Sequence, residues 1–375
     1  MPPAQAMPSG QGGARPAGRK RDAAWLAHLQ LLAGLPYAPM TIAPALLDTL
    51  VAGFDADYAD FFWRGRGGDP SQPDPVDMYN QCTTEAVQRW TMQHTDAFTV
   101  LAPFGEQVRT DGDHMRALAS DPAYLRSAAY RNAMEPLGGR WMMGVPLLSP
   151  QGECQGYLYL QRDGSRPAFS DAEQARLRRA RDRLTALGSR SEAADGTLPR
   201  LAVCTALLRF DAQGQMRARS AQALGLLLRC HEEPLQEYGR WTASDLSALP
   251  HPLREQVRRM LRDADVPAQA NMRLEHHGSL LELRAERLLD EQGGPEVLVA
   301  ISQLEPLDLA VAREIHDWPL APHEKQLIVA STRPCSQREL AEQLGCTVGT
   351  LKGYLNRLFA KLGVVSREEL MAQLL

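Results

Sequence analysis

Ser336-Gln337-Arg338-Glu339-Leu340-Ala341, then Leu344-Gly345, then Thr347 through Gly363, is the stretch that decides the fold of the C-terminal part of this chain. Ser336 and Glu339 form the pattern of a capping box: the serine oxygen accepts from the backbone at the third helical residue, whose carboxylate reaches back. This opens a short helix from Gln337 to Leu344, which Gly345, suited to the left-handed turn after a helix, brings to an end. Thr347 caps a second helix in which Leu351, Leu355, Leu358 and Leu362 fall on one face. The opposite face carries Gly349, Lys352, Gly353 and Asn356, with Arg357 and Lys361 nearby, and Gly363 ends the run.

Working outward, Pro322 sits at a favourable first-turn position and His323 to Val329 continue a helix that Pro334 closes. Ser366-Arg367-Glu368-Glu369 is another capping box, and Leu370, Leu374 and Leu375 give a fourth helix its apolar stripe. The pattern predicts an all-α unit of four helices over 318–375. Its middle pair, helix, tight turn, helix, leaves the second member free to enter a major groove.

The residues Leu320, Pro322, Glu324, Ser336 to Ala341, Leu344-Gly345, Thr350-Leu351-Lys352, Leu358, Lys361 to Val364, Arg367 and Glu369-Leu370 together resemble the LuxR-type helix-turn-helix domain, over about 55 residues without a gap. The resemblance implies that Thr350 and Lys352 contact DNA, that Lys361 lies near the DNA backbone, and that the fourth helix supports dimerisation. Thr347, Val348, Asn356 and Arg367 complete the candidate DNA-contact set. Ala321 stands where the family has Ser or Thr, which removes a cap worth about 1 kcal/mol. Gly353 lies inside the recognition helix at about 0.8–1 kcal/mol relative to alanine. Tyr354 replaces a histidine, so base preference does not transfer.

Upstream, residues 1–20 are rich in Pro, Gly, Ala and Gln and predict a disordered tail. Residues 21–190 predict one α/β sensory domain, its first helix capped by Asp22 and striped by Trp25, Leu26, Leu29 and Leu32. Helices are expected at 41–51, near Tyr79–His94 and near Asp113–Tyr130. Strands are expected at 141–148 and 156–160, joined by a turn over 149–153. Ser170 to Glu173 caps a long helix to Leu187, with Leu177, Ala180, Leu184 and Leu187 at the spacing of a dimer seam. The strand–turn–strand and the capped helix resemble the end of a GAF-type sensory domain. Residues 200–305 predict two strands joined at Asp211-Ala212-Gln213-Gly214, helices, then three strands, an order that resembles the PAS fold. Residues 306–317 read as a linker. The fold class expected is multidomain α+β: two sensory α/β units, GAF-like and PAS-like, followed by the four-helix unit.

The chain has a formal charge of −4, so nucleic-acid contact requires a local basic face. Residues 318–375 carry seven basic against five acidic side chains, which supports only a modest electrostatic term per copy and favours two copies on a two-fold site. Six scattered cysteines without paired spacing fit reduced thiols, and with no stretch of ~20 apolar residues the expectation is a cytoplasmic bacterial protein away from membranes.

Trp63 and Trp141 are candidates to line a small-molecule pocket or simply to fill a core. His276-His277 and Cys230-His231 lack partners at metal-ligand spacing. Phosphate-binding, nucleophile-elbow and zinc-protease motifs are absent, so neither cofactor nor catalysis is expected. Residues 1–200 contain Lys20 as their sole lysine, against a phosphorylated receiver. The reading is a DNA-binding transcription regulator, a homodimer on double-stranded DNA with a small-molecule effector. The alternatives are a response-regulator-like protein switched by a partner protein, and a GAF-containing enzyme.

Overall fold

Tyr58 to Trp63 alternates residues of two characters, Tyr58 and Asp60 against Ala59, Phe61 and Trp63, which suits a strand buried on both faces. In the computed structural model the residues described are 16–64, 76–80, 119–127, 130–131, 135, 138–149, 152, 154–184, 187, 199–228, 230, 245–276, 279–333 and 335–374. They form two antiparallel sheets and several helical layers, an α+β architecture.

The first unit contains α1 (Pro16–Gly34), α2 (Pro39–Phe54), β1 (Tyr58–Arg64), β2 (Val76–Asn80), the single-turn α3 (Pro122–Leu125), β3 (Gly139–Leu148), β4 (Cys154–Asp163) and α4 (Asp171–Leu184). Its strands lie in the order β2-β1-β4-β3. On one face Ala59, Phe61, Trp63, Met143, Val145, Leu158 and Leu160 meet leucines of α1, α2 and α4. The Arg162 guanidinium fastens this layer: it stacks on Phe169 at 4.1 Å, donates to Asp55 O at 3.1 Å and to Phe54 O, and pairs with Glu173 at 2.6 Å.

Several local expectations change here. The helix begins at Pro16, within the segment whose composition predicts a tail, so Asp22 is not a cap; it pairs with Arg176 at 3.1 Å. Tyr79 and Asn80 belong to a strand rather than a helix. Residues 81–118, including Trp90, lie outside the described residues, as do His277 and Pro334. Leu177, Ala180, Leu184 and Leu187 are buried in the chain's own core. The spacing that suggests a dimer seam is an internal one, because a leucine stripe packs as well on its own helices as on a partner's.

The middle unit runs β5 (Arg200–Phe210), β6 (Met216–Arg219), α5 (Ala223–Leu228), α6 (His251–Arg262), β7 (Gln269–His276), β8 (Ser279–Leu289) and β9 (Pro295–Pro306), in the order β6-β5-β9-β8-β7. The β5–β6 turn forms where the sequence puts it: Asp211 Oδ1 accepts from Gln213 and Gln215, and Gly214 takes φ +76°. Leu208, Phe210, Val257, Leu283 and Val299 lie in a core of its own.

Residues 307–317, expected as linker, are instead α7 (Leu307–Glu314) and a short 3-10 turn at Ile315–Asp317, with Leu309, Val311, Ala312 and Ile315 buried. Then follow α8 (Pro322–Ser331), α9 (Gln337–Gln343), α10 (Val348–Leu362) and α11 (Arg367–Leu374). Gly345 and Gly363 take φ +63° and +72°, the left-handed conformation their turns need. One apolar cluster runs from Trp25 through Leu177 and Val311 to Leu327 and Leu370, so these four helices share a core with the first unit.

A buried carboxylate ties the pieces together. Asp308 on α7 is 2% exposed; its Oδ1 accepts the Tyr37 hydroxyl at 2.6 Å and its Oδ2 accepts two Arg333 donors at 3.0 and 2.8 Å. Arg313 on the same helix pairs with Glu305 of β9 and Asp48 of α2, both at 2.8 Å.

The start of α8 is half capped. The Glu324 carboxylate accepts the Ala321 N–H at 2.6 Å, but alanine has no oxygen to return the bond. Ala321 already holds φ −66° and ψ 153°, the extended geometry of a cap. Ala321→Ser should therefore raise stability by about 0.5–2 kcal/mol, read as a higher midpoint in chemical denaturation; an unchanged midpoint would mean that the added oxygen finds no donor.

Candidate nucleic-acid interface and sensory face

The N-terminus of α10 is built as its sequence implies. Thr347 Oγ1 accepts the Thr350 N–H at 3.2 Å and lies 2.9 Å from the Thr350 hydroxyl. In α9, Ser336 and Glu339 exchange both capping bonds, at 3.3 and 2.7 Å. Leu351 and Leu358 are fully buried and Leu355 and Leu362 partly so, which fixes the rotation of α10 about its axis. Thr347, Val348, Thr350, Lys352 and Asn356 consequently lie exposed together along its outer side. Among the described residues nothing pairs with Lys352 or Asn356.

Two glycines flank these side chains. A Cβ at Gly353 would meet nothing within 4 Å, and one at Gly349 only the Thr347 hydroxyl at 3.8 Å. The fold does not require glycine at either position, although each costs about 0.8–1 kcal/mol of helix propensity. Their effect is to bare the backbone on the exposed side.

The other two candidates are differently engaged. Lys361 is half exposed but pairs with Glu324 at 2.7 Å, clamping the end of α10 to the start of α8 and holding the Glu324 carboxyl below the usual carboxylate range. Arg367 donates to the carbonyls of Ser331, Arg333 and Cys335, so its guanidinium fastens α11 to the end of α8. Leu370 of α11 is buried and Leu374 partly so, both within the chain's own core, while Glu368, Glu369 and Gln373 face solvent. Of the apolar stripe expected to support dimerisation, Leu370 is thus occupied internally and Leu374 in part, while Leu375 lies outside the described residues.

Trp63 and Trp141 share the helix-packed face of the first sheet. Trp63 is 7% exposed and stacks on Phe61 at 5.9 Å; the Trp141 indole donates to Arg166 O at 2.9 Å beneath the Arg140 guanidinium. Their partners on β4 are Gly156 and Arg162, which sets the two rings roughly 20 Å apart along the strand direction at about 3.3 Å per residue. They do not form one site.

The opposite face of this sheet holds polar groups that sequence reasoning passes over. The Tyr58 hydroxyl donates to Gln161 Oε1 at 2.7 Å, and Gln161 Nε2 donates to Asp60 Oδ2 at 2.7 Å. The stacked rings of Tyr157 and Tyr159 stand on the same face, and a Cβ at Gly144 would lie 2.6 Å from the Tyr159 ring, so glycine is needed there. Tyr124 of α3 reaches Met142 Sδ at 3.9 Å, covering part of this face. Burial pushes the Asp60 carboxyl up to about 7, against a downward pull from the Gln161 bond. The carboxyl is thus held inside the sheet's polar face, bonded to an amide that a tyrosine hydroxyl orients in turn. Period-two alternation, Tyr58-x-Asp60 and Tyr157-x-Tyr159-x-Gln161, is the signal that could have found it.

No family model matches the chain, and none of the curated proteins matches it. Among solved structures, the sensor region of a sensor histidine kinase overlaps 78% of this chain and 93% of its own at 13% identity, with a TM-score of 0.20. VqmA bound to DPO overlaps 45% of this chain and 84% of its own at 16% identity and a TM-score of 0.19. A Vibrio cholerae VqmA dimer, grouped by its description with LuxR-type receptors, overlaps 45% and 81% at 16% identity and 0.18. Superpositions this loose establish neither a shared fold nor an activity.

The raised Asp60 value has a definite sign. A carboxyl that holds its proton more tightly when folded contributes stability below about pH 4, and that contribution is lost as pH rises through about 7. Between pH 5 and 8 the parent should lose roughly 2–3 kcal/mol more than Asp60→Asn, whose amide cannot ionise. Denaturant titrations of both proteins at the two pH values test this; a constant difference would return Asp60 to the ordinary carboxylate range.

Proposed function

We propose that the chain is a sequence-specific DNA-binding regulator of transcription with a LuxR-type helix-turn-helix output, acting as a dimer in the bacterial cytoplasm. The observation that carries this reading is the outer side of α10. Its leucines point inward, its glycines bare the backbone, and Lys352 and Asn356 stand outward without partners among the described residues. An amide suits bidentate bonding to adenine and an ammonium suits guanine or phosphate. Thr347, Val348 and Thr350 at the helix start are placed to meet the groove, whereas Lys361 and Arg367 act as supports for the helix that reads it.

The upstream units fit the sensory part of this reading. A four-stranded antiparallel sheet carrying α1, α2 and α4 on one face and a polar, tyrosine-lined other face supports the GAF-like assignment. Two strands, then helical segments, then three strands among the described residues support the PAS-like assignment of the middle unit. With α4 and α11 turned inward, the dimer contact falls to other surfaces.

Binding sites selected from random duplexes by the full-length protein provide the probe. Lys352→Ala should weaken binding to the selected duplex by about 1–3 kcal/mol if Lys352 bonds a base edge. If it touches phosphate alone, the loss should be uniform across sequences and the salt slope should fall by about 1. Undiminished affinity, or no enriched duplex at all, would overturn the reading. Gly353→Ala offers a second check, since it should raise stability by up to about 1 kcal/mol and yet weaken DNA binding by holding the backbone away.

A further inference from the structure

Where the three units meet, a cleft of about 740 Å³ opens between α1, α2, β5, α7 and the start and end of the C-terminal helices. His28 of α1 lines it, 2% exposed, with neither ring nitrogen in a hydrogen bond among the described residues. Its ring lies 4.2 Å from that of His316, whose Nδ1 is likewise buried without a partner. Buried polar atoms are nearly always satisfied, by protein, by water or by a ligand. An imidazole with both nitrogens unpaired among the described residues, beside a second whose Nδ1 is unpaired and whose Nε2 faces Asp317 at 3.8 Å, marks a place in a lined cleft where something else completes the bonding.

The surrounding chemistry limits what that is. Burial, with Lys325 and His316 close by, pulls His28 down to about 3, so the ring is neutral and presents one N–H and one bare nitrogen. Asp48, Glu314 and Asp317 line the same cleft; Arg313, which also lines it, is already engaged by Asp48 and Glu305, and Lys325, close to the imidazoles, donates to His316 O. Trp318 and Val203 supply an apolar wall. With Asp48 paired to Arg313, an anion would still meet the Glu314 and Asp317 carboxylates, whereas an ammonium could donate to the bare imidazole nitrogen and to those rim carboxylates, with its alkyl chain against the indole. Among the described residues no His, Cys, Asp and Glu group has the arrangement to hold a metal ion.

The geometry points to a binding site for a small organic cation of the alkylamine class in this junction cleft. Its occupant would touch α1 and α2 of the first unit together with Trp318 and Leu374 of the C-terminal helices, so it would bear on how those helices are docked. The binding stands whether or not the protein reads DNA; only its consequence for operator affinity rests on the regulator assignment.

Titration calorimetry on the full-length protein at constant ionic strength tests it, with 1,4-diaminobutane and butylamine as probes and butyrate and 1-butanol as controls. Saturable binding of an amine, one per chain, is expected, with butyrate and butanol silent. His28→Phe should weaken amine binding at least tenfold. Because that ring is buried and the variant could misfold, Asp317→Asn, at a side chain 98% exposed, serves as the second variant and should weaken it several-fold. Absence of saturable amine binding, equal binding of butyrate, or amine binding untouched by Asp317→Asn would overturn the proposal. A bound amine that leaves affinity for a selected duplex unchanged would keep the site and remove its link to DNA.

Discussion

The arrangement depends on one carboxylate placed where water cannot reach it. Asp308 carries charge into a site that is 2% exposed, and this is tolerable only because a tyrosine hydroxyl, its own helix backbone and two guanidinium donors all converge on it. Those partners come from opposite ends of the chain, Tyr37 and Arg333. Remove either and a buried charge is left short of bonds, so the first unit, α7 and the end of α8 are held to a single mutual arrangement. Burial also raises the Tyr37 hydroxyl well above its usual range, which keeps it a donor at any ordinary pH.

Around this anchor, supporting and presenting residues separate cleanly. Basic side chains of the C-terminal unit that help to hold it together, Arg333, Lys361, Arg367 and Lys325 (which donates to His316 O), are spent on internal bonds. Among the described residues Lys352 and Arg338 make no such bond, and Lys352 is the one on α10. A surface whose charge is mostly committed inward offers little nonspecific attraction to a polyanion and relies on the shape and hydrogen bonding of a few exposed groups. The same division holds in the first sheet, where Arg162 cements the helix-packed face and the other face keeps an ionisable group near its midpoint.

What the sequence made legible is local. Ser336 with Glu339, Thr347 with Thr350, Ser170 with Glu173, and the Asp211 turn bond within a few residues of themselves, so spacing alone identifies them. The exposed side of α10 follows from four leucines. What was not legible is pairing over distance. Tyr37 and Asp308 are separated by 271 residues, and no local pattern announces that bond. Pro306 and Pro319 bracket a stretch that reads as a linker, yet Leu309, Val311, Ala312 and Ile315 bury themselves against neighbours the linear pattern does not reveal. The leucines of α4 and α11 show the same limit: periodicity identifies a sticky face but not whose surface it meets. Aromatic content drew attention to Trp63 and Trp141, while the alternation of β1 and β4 put the polar groups on the other side of the sheet.

The last strand of the middle sheet passes into α7 without an intervening residue, β9 ending at Pro306 and the helix starting at Leu307. A chain with no loop at that point has no joint, and proline there removes one backbone rotation more. Strand and helix therefore behave as a rigid crank. The five-stranded sheet and the helix bearing Asp308 and Arg313 are joined without a spacer.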